Sequence, residues 1–201
     1  MTFDPITFDA IVLCGGAARR LDGADKAAVV VGERSLLDRA LDAVGAARTT
    51  IAVGPQRVTG RDVSWTVEEP PGGGPVAGIA AGLELVTAEV VMVLGVDFPF
   101  VGPQHVARLL AAVGRDGAIY VDETGRHQFL VGAYRTDALR AALTERAAQG
   151  MAVKDLISDL DLVLLADPRA TQDVDTWEDA EAANAADAAK LDRTANAAVE
   201  E

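Results

Sequence analysis

The sequence predicts an α/β protein in three layers, with a mostly parallel sheet held between two layers of helices. Three observations lead there. Short β-type runs alternate with segments of helical periodicity along the chain, the pattern of right-handed βαβ crossovers. The run Val90 to Val96 (VVMVLGV) is apolar without alternation, as expected of a strand covered on both faces. Half of the 201 residues are apolar but only 4% are aromatic, and the alanine that makes up the difference suits helices packed closely on a sheet.

The elements follow in order. Ala10 to Leu13 is a β-type run that stops at Gly15-Gly16. Leu36, Leu37, Ala40, Leu41 and Val44 recur at helical spacing, with Ser35 placed to cap that helix. Thr50 to Val53 is β-branched and ends at Gly54-Pro55, and Ser64 to Val67 is a weaker strand. A helix is expected over Ala77 to Val86, the buried strand over Val90 to Val96, and a further helix from Pro103 to Val113, since proline is acceptable in a first turn. Strands over Ala118 to Val121 and Phe129 to Tyr134 precede a helix over Asp137 to Ala148. Leu162 to Leu165 is the last strand, and Thr176 opens an alanine-rich terminal helix. The chain reads as one domain over residues 1–189, with 190–201 a frayed tail.

A net charge of −13 argues against nucleic acid or an anionic membrane as partner, because both need clustered Lys and Arg. An anionic ligand needs a local cationic pocket. One cysteine, Cys14, excludes an internal disulfide and any Cys-rich metal site, and it reads as a small buried hydrophobe. No apolar run approaches the length of a membrane span, and the acidic start MTFDPITFDA lacks the layout of a signal peptide, so the expectation is a cytoplasmic protein.

In doubly wound sheets ligands collect beyond the carboxyl ends of the strands, and three unusual segments fall there. The first is LCGGAARRLDGADK, Leu13 to Lys26. Gly15 and Gly16 let the backbone approach a ligand and aim its N–H groups at anionic oxygens, while Arg19, Arg20 and Lys26 add positive charge. Two glycines alone would mark a turn with solvated arginines. One of only three lysines in the chain at the end of the loop turns the reading to a triphosphate cradle. There is no G-x-G-x-x-G, and Asp25 stands before Lys26 where a P-loop has glycine. The second segment, Gly72 to Gly78 (GGGPVAG), leads into a helix and suits close contact with a base or ribose; a plain loop explains it equally well by itself. The third, Asp97-Phe98-Pro99-Phe100, sets a carboxylate at the mouth of the buried strand, where a hard cation such as Mg²⁺ finds an oxygen ligand. His105 and His127 have no partners that suggest a triad or metal cluster.

Taken together, LCGGAARRLDGADK, EEPPGGGPVAG, VDFPF and DVDTWED resemble the molybdenum cofactor guanylyltransferase family, in the family's order and over most of the chain. The first block follows the family's L-A-G-G-x-x-x-R-M-G-x-x-D-K nearly position by position. The resemblance implies a Rossmann-like, nucleotide-diphospho-sugar transferase-like fold that binds GTP and Mg²⁺. It implies transfer of GMP to molybdenum-bound molybdopterin with release of pyrophosphate, and docking to molybdopterin-inserting or target molybdoenzyme proteins. By position, Leu13, Cys14, Gly15 and Gly16 contact the nucleotide and Lys26 its phosphates. Glu69 falls where relatives carry a GTP-contacting Asp, and Asp97 falls at the Mg²⁺ ligand. Lys26 and Arg20 would stabilise the departing pyrophosphate.

The chain also departs from the pattern. Asp22 replaces a glycine, Asp173 and Asp175 stand where relatives often have asparagines, and Trp177 replaces a proline. Val53 lies near a position where some members place a nucleotide-contacting Asn. The acceptor region falls around His127 to Arg135 and Met151 to Leu156, with Gln128 and Lys154 as candidates. The rival readings are a cytidylyltransferase for the same cofactor, another small-molecule nucleotidyltransferase, and a non-catalytic nucleotide- or cofactor-binding protein.

Overall fold

The computed structural model describes residues 6–15, 23–144 and 150–197. Its centre is β1 (Phe8–Leu13), which pairs in parallel with β4 (Thr50–Val53) on one side and β6 (Val90–Gly95) on the other. Beyond β4 lies β5 (Ser64–Thr66). Beyond β6 lie β8 (His127–Arg135), β7 (Gly117–Val121) and β9 (Leu162–Ala166), giving the order β5-β4-β1-β6-β8-β7-β9. Only β8 runs against the rest. The parallel sheet expected from the sequence is therefore interrupted once. The interruption arises because β7 and β8 are joined by the tight turn 122–126, in which Asp122 accepts hydrogen bonds from Thr124 N and Arg126 N, and such a turn permits only antiparallel pairing.

Alternation along each strand builds two cores. On β1, Phe8, Ala10, Val12 and Cys14 face α1 (Leu36–Ala43), α3 (Pro103–Ala112) and α6 (Trp177–Ala197). Ile11 and the half-buried Leu13 face α2 (Pro75–Leu83), α4 (Thr136–Thr144) and α5 (Val153–Leu156). On β6, Met92 and Leu94 take the first side and Val91 and Val93 the second, which is why that strand reads as an unbroken apolar run. Ser35 caps α1 as expected, its hydroxyl accepting from Asp38 N at 3.0 Å. The helix expected to reach Ala148 is described as far as Thr144; residues 145–149 lie outside the described residues.

Three elements do not show in hydrophobic periodicity. They are the 3-10 turn Lys26–Ala28, the hairpin β2 (Val30–Val31) and β3 (Arg34–Ser35), and α5. All are four residues or shorter, too brief for a period to register. The terminal helix is anchored to the hairpin, where Gly32 N donates to Asn184 Oδ1 at 2.7 Å and Arg39 pairs with Asp187 at 2.8 Å. It continues past Lys190 to Ala197, as its alanine content favours. No helix among the described residues is long and apolar enough to cross a membrane.

Candidate active site

The strand order reverses at β1. The chain steps outward through β4 and β5, then returns to the other flank of β1 as β6. Such a reversal opens a crevice beyond the carboxyl ends of the two diverging strands. Leu13, Cys14 and Gly15 form the exit of β1, and Asp97 lies two residues past the exit of β6. Backbone hydrogen bonds hold this mouth on both sides, Cys14 N to Val53 O at 3.0 Å and Val96 N to Leu13 O at 3.2 Å. Gly54 is needed here for two reasons. Its φ is +143°, and a Cβ on it would lie 2.7 Å from Gly15 N, so any side chain would close the floor of the crevice.

Lys26 enters from the 3-10 turn and meets two carboxylates. Its Nζ donates to Asp175 Oδ1 at 2.5 Å and lies 3.6 Å from Asp97 Oδ2. The sequence reading placed Lys26 and Asp97 at one crevice, and the structure brings them together. Burial pushes the Asp97 carboxyl above the usual carboxylate range. Lys26 pulls it back, and Asp175 and Asp173 add repulsion. Asp173 is raised for the same reasons, burial first and then Asp175. Space for the Asp97 carboxylate comes from Gly95, where a Cβ would fall 2.3 Å from Asp97 Oδ1.

The DVDTWED block, which the sequence left without a role, reaches the site through its backbone. Val174 N donates to Asp97 O at 2.8 Å, so the segment carrying Asp173 and Asp175 is stitched to the exit of β6. Thr176 and Asp179 then close a capping box at the start of α6. Asp179 Oδ2 accepts from Thr176 N at 2.8 Å, and Thr176 Oγ1 accepts from Asp179 N at 3.2 Å. The T-x-x-D spacing was a legible signal for that cap. Trp177 is half exposed at the first position of the helix.

A second pair was not foreseen. Arg57, in the loop after β4, grips Asp25 with two nitrogens at 2.8 and 2.7 Å, and Asp25 in turn caps the Lys26 turn by accepting from Ala27 N. The Arg57 side-chain bonds hold the Asp25 carboxyl below its usual range. Arg57 also approaches Cys14 Sγ at 3.8 Å. Cys14 is buried, its thiol donates to Val53 O at 3.3 Å, and burial pushes its pKa up to about 11, which agrees with a packing residue rather than a nucleophile.

The remaining candidates divide. Gly16, Arg19, Arg20 and Asp22 lie outside the described residues. Glu69 is exposed in the turn after β5, and it is the neighbouring Glu68 whose carboxylate is folded in, accepting from Gly72 N at 3.0 Å. Val53 is buried in β4, so its side chain offers the crevice nothing polar. Gln128 donates to Asp122, and Lys154 is exposed on α5. His105 is buried at the start of α3, with Nδ1 accepting from Gly102 N and Nε2 3.7 Å from Asp167. Two depressions of about 790 and 480 Å³ lie at the opposite pole, around Thr87, Glu89 and Arg135 at the amino ends of β6 and β7. Two arginines there are taken up structurally: Arg140 donates to Leu83 O and Val86 O, and Arg48 pairs with the fully buried Asp9.

Comparison with known proteins points one way. The molybdenum cofactor guanylyltransferase of Acidiphilium cryptum is 37% identical over 111 residues, 51% of this chain and 57% of that protein. This chain therefore spans just over half the length of that relative. The corresponding protein of Shewanella halifaxensis is 28% identical over 141 residues, 67% of this chain and 70% of its own. Among solved structures, molybdopterin-guanine dinucleotide biosynthesis protein A from Archaeoglobus fulgidus superposes with a TM-score of 0.72 at 20% identity, covering 90% of this chain and 98% of that one. The 2-C-methyl-D-erythritol 4-phosphate cytidylyltransferase of Thermus thermophilus gives 0.67 at 21%, again over 90% and 98%. At those identities the two structures establish a shared nucleotidyltransferase fold rather than a shared substrate. The profile of the MobA-like NTP transferase domain matches residues 10–163, three-quarters of the chain and both sides of the crevice. This chain belongs to that family.

Proposed function

We propose that the protein transfers GMP from GTP to the terminal phosphate of molybdenum-bound molybdopterin, forming the guanine dinucleotide and pyrophosphate. The observation that carries the reading is the placement of Lys26 and Asp97 within 3.6 Å at the strand-order reversal, beside the Gly15 backbone. The names of the similar curated proteins support it.

The chemistry asks little of a protein base. The acceptor phosphate oxygen is already anionic; it forms a bond to the α-phosphorus of GTP while the bond to the bridging α–β oxygen breaks, and pyrophosphate leaves with the electron pair. Positioning and charge neutralisation supply most of the catalysis in phosphoryl-type transfers. Lys26 sits where it can meet the phosphates, with its turn held by Asp25 and Arg57. Arg20 is assigned the same role from its place in the loop. Leu13, Cys14 and Gly15 present backbone to the nucleotide at the exit of β1, Gly16 is assigned the same role from its place in the sequence, and Glu69 contributes from the turn after β5.

The donor set fits Mg²⁺. A hard cation takes oxygen ligands, and Asp97 offers a carboxylate in the crevice with Asp175 close by on the same lysine. Among the described residues no three His, Cys, Asp or Glu side chains gather into a closed cage. When bound, Mg²⁺ supplies charge neutralisation across the reacting phosphates. Asp97 is the residue that would hold it.

Pyrophosphate release measured with GTP and with CTP, each with and without molybdenum-loaded molybdopterin, tests the reading. Release with GTP that depends on the acceptor is expected. Release with CTP alone would move the protein to the cytidylyltransferases, and nucleotide binding without release would make it a non-catalytic binder. The same assay with an added molybdoenzyme partner tests the docking implied by the family.

A further inference from the structure

The two edges of the seven-stranded sheet differ in character. At one edge β5 is three residues long and carries the polar Ser64 and Thr66. Edges kept short and polar resist pairing with other chains. At the other edge β9 is five residues of unbroken apolar sequence, LVLLA, in regular register with β7 and without charge or proline. Leu162 and Leu165 lean on the two cores, while Val163 and Leu164, one on each face, are 39% and 49% exposed. The backbone is open as well. Among the described residues β9 pairs only with β7, and Asp167 N donates to Val121 O. N–H groups alternate along a strand, so those of Leu162, Leu164 and Ala166 point away from β7. Open donors with apolar side chains on both faces match another apolar strand.

We propose that β9 pairs antiparallel with β9 of a second copy of this chain, about a two-fold axis at Leu164, so that two sheets become one. In that register Leu164 meets Leu164, Leu162 meets Ala166 and Val163 meets Leu165, so the strand is complementary to itself. Charge sets the direction. Among the described residues the head of β9 is acidic, with Asp159, Asp161 and Asp116 against Arg115, and Arg135 there faces Glu89 at 3.8 Å. The tail balances Asp167, Asp122 and Glu123 with Arg108, Arg126 and Arg169. A parallel copy sets head on head, whereas an antiparallel copy sets head on tail. It brings Asp161 of one copy opposite Asp167 of the other. That carboxylate is already held by Arg108 at 2.8 Å and by the backbone N–H groups of Arg169 and Ala170. The Arg108 side chain is 52% exposed, which leaves guanidinium donors for a second carboxylate. Two-fold pairing uses the apolar edge of both copies at once, so it closes at a dimer instead of growing into a filament.

The test is analytical ultracentrifugation of the full chain from about 1 to about 300 μM, the range in which a small interface associates. A reversible monomer–dimer equilibrium of the 20.9 kDa chain is expected. Leu164→Lys and Leu164→Glu each put like charges on the axis and are expected to raise the dissociation constant at least about tenfold. Mixed in equal amounts, they put opposite charges there and are expected to form a heterodimer. Thermal unfolding verifies that each variant is folded. Hydrogen exchange of the wild type needs no variant: the amides of Leu162, Leu164 and Ala166 are expected to be protected at the highest concentration and to lose that protection on dilution. A wild type that stays monomeric across the range would overturn the pairing, as would fast exchange of those amides at the highest concentration. A dimer unmoved in either folded variant would also overturn it, and so would two monomeric variants that fail to associate when mixed. An open-ended series of larger species would rule out the two-fold closure.

Discussion

Asp97→Asn separates what the crevice does for chemistry from what it costs the fold. The substitution keeps the shape and removes one charge. The Asp97 carboxylate is 24% exposed and 3.6 Å from Lys26 Nζ, a pair worth about 4–5 kcal/mol at an effective dielectric of about 20 if it stood alone. It does not stand alone. Burial, with repulsion from Asp175 and Asp173, outweighs that attraction and raises the carboxyl pKa. A carboxyl raised above its unfolded value stabilises the fold below the unfolded pKa, and that contribution is lost as pH rises through the folded value. At neutral pH the ionised group is therefore a net burden. Asp97→Asn in chelator is expected to raise Tm at neutral pH, and the gain should vanish on acidification, when the wild-type carboxyl is protonated as well. Turnover should fall by about a thousandfold or more, the equivalent of about 4 kcal/mol of transition-state stabilisation. Thermal unfolding across pH and pyrophosphate release measure the two sides. A variant that melts below wild type at neutral pH would refute the electrostatic account, and near-normal turnover would remove Asp97 from the mechanism.

Other expectations follow from contacts elsewhere. Asp9 is fully buried and takes Thr87 N at 2.7 Å, Ala88 N at 2.9 Å and two nitrogens of Arg48. Burial alone would raise its pKa, but those bonds together hold it low, so its contribution is present above the unfolded carboxylate range and lost as pH falls through the folded value. Asp9→Asn should cost about 2–4 kcal/mol in urea unfolding at neutral pH and flatten the acid limb; equal acid sensitivity in the variant would contradict this. Arg57→Gln and Asp25→Asn should each slow turnover by loosening the Lys26 turn. The double variant should be little worse than either single, while Arg57→Lys, which lacks the two-pronged grip, should not restore activity; additive losses would mean the two act separately. Gly95→Ala should lower kcat about tenfold or more with little change in Tm, because the new methyl displaces the Asp97 carboxylate rather than a core side chain. An unchanged kcat would show that Asp97 tolerates the shift.

The alternation of strands and helices, the doubly covered β6 and the Ser35 cap were legible in the sequence because each depends on neighbours a few residues apart. So was the pairing of Lys26 with Asp97, since parallel strands deliver the residues after their carboxyl ends to one edge. What the chain order could not show was contact across long separations. Asp175 reaches Lys26 across 149 residues, and Arg57 reaches Asp25 from a loop with no periodic signature. Nothing in the local sequence marks Asp9 as buried; the fold brings Arg48 and two backbone N–H groups around it. Local propensity and hydrophobic period determined the elements and the pole of the sheet where ligands collect. Only tertiary packing decided how many carboxylates share the single lysine there, because charge interactions depend on distance in space and carry no trace of separation along the chain.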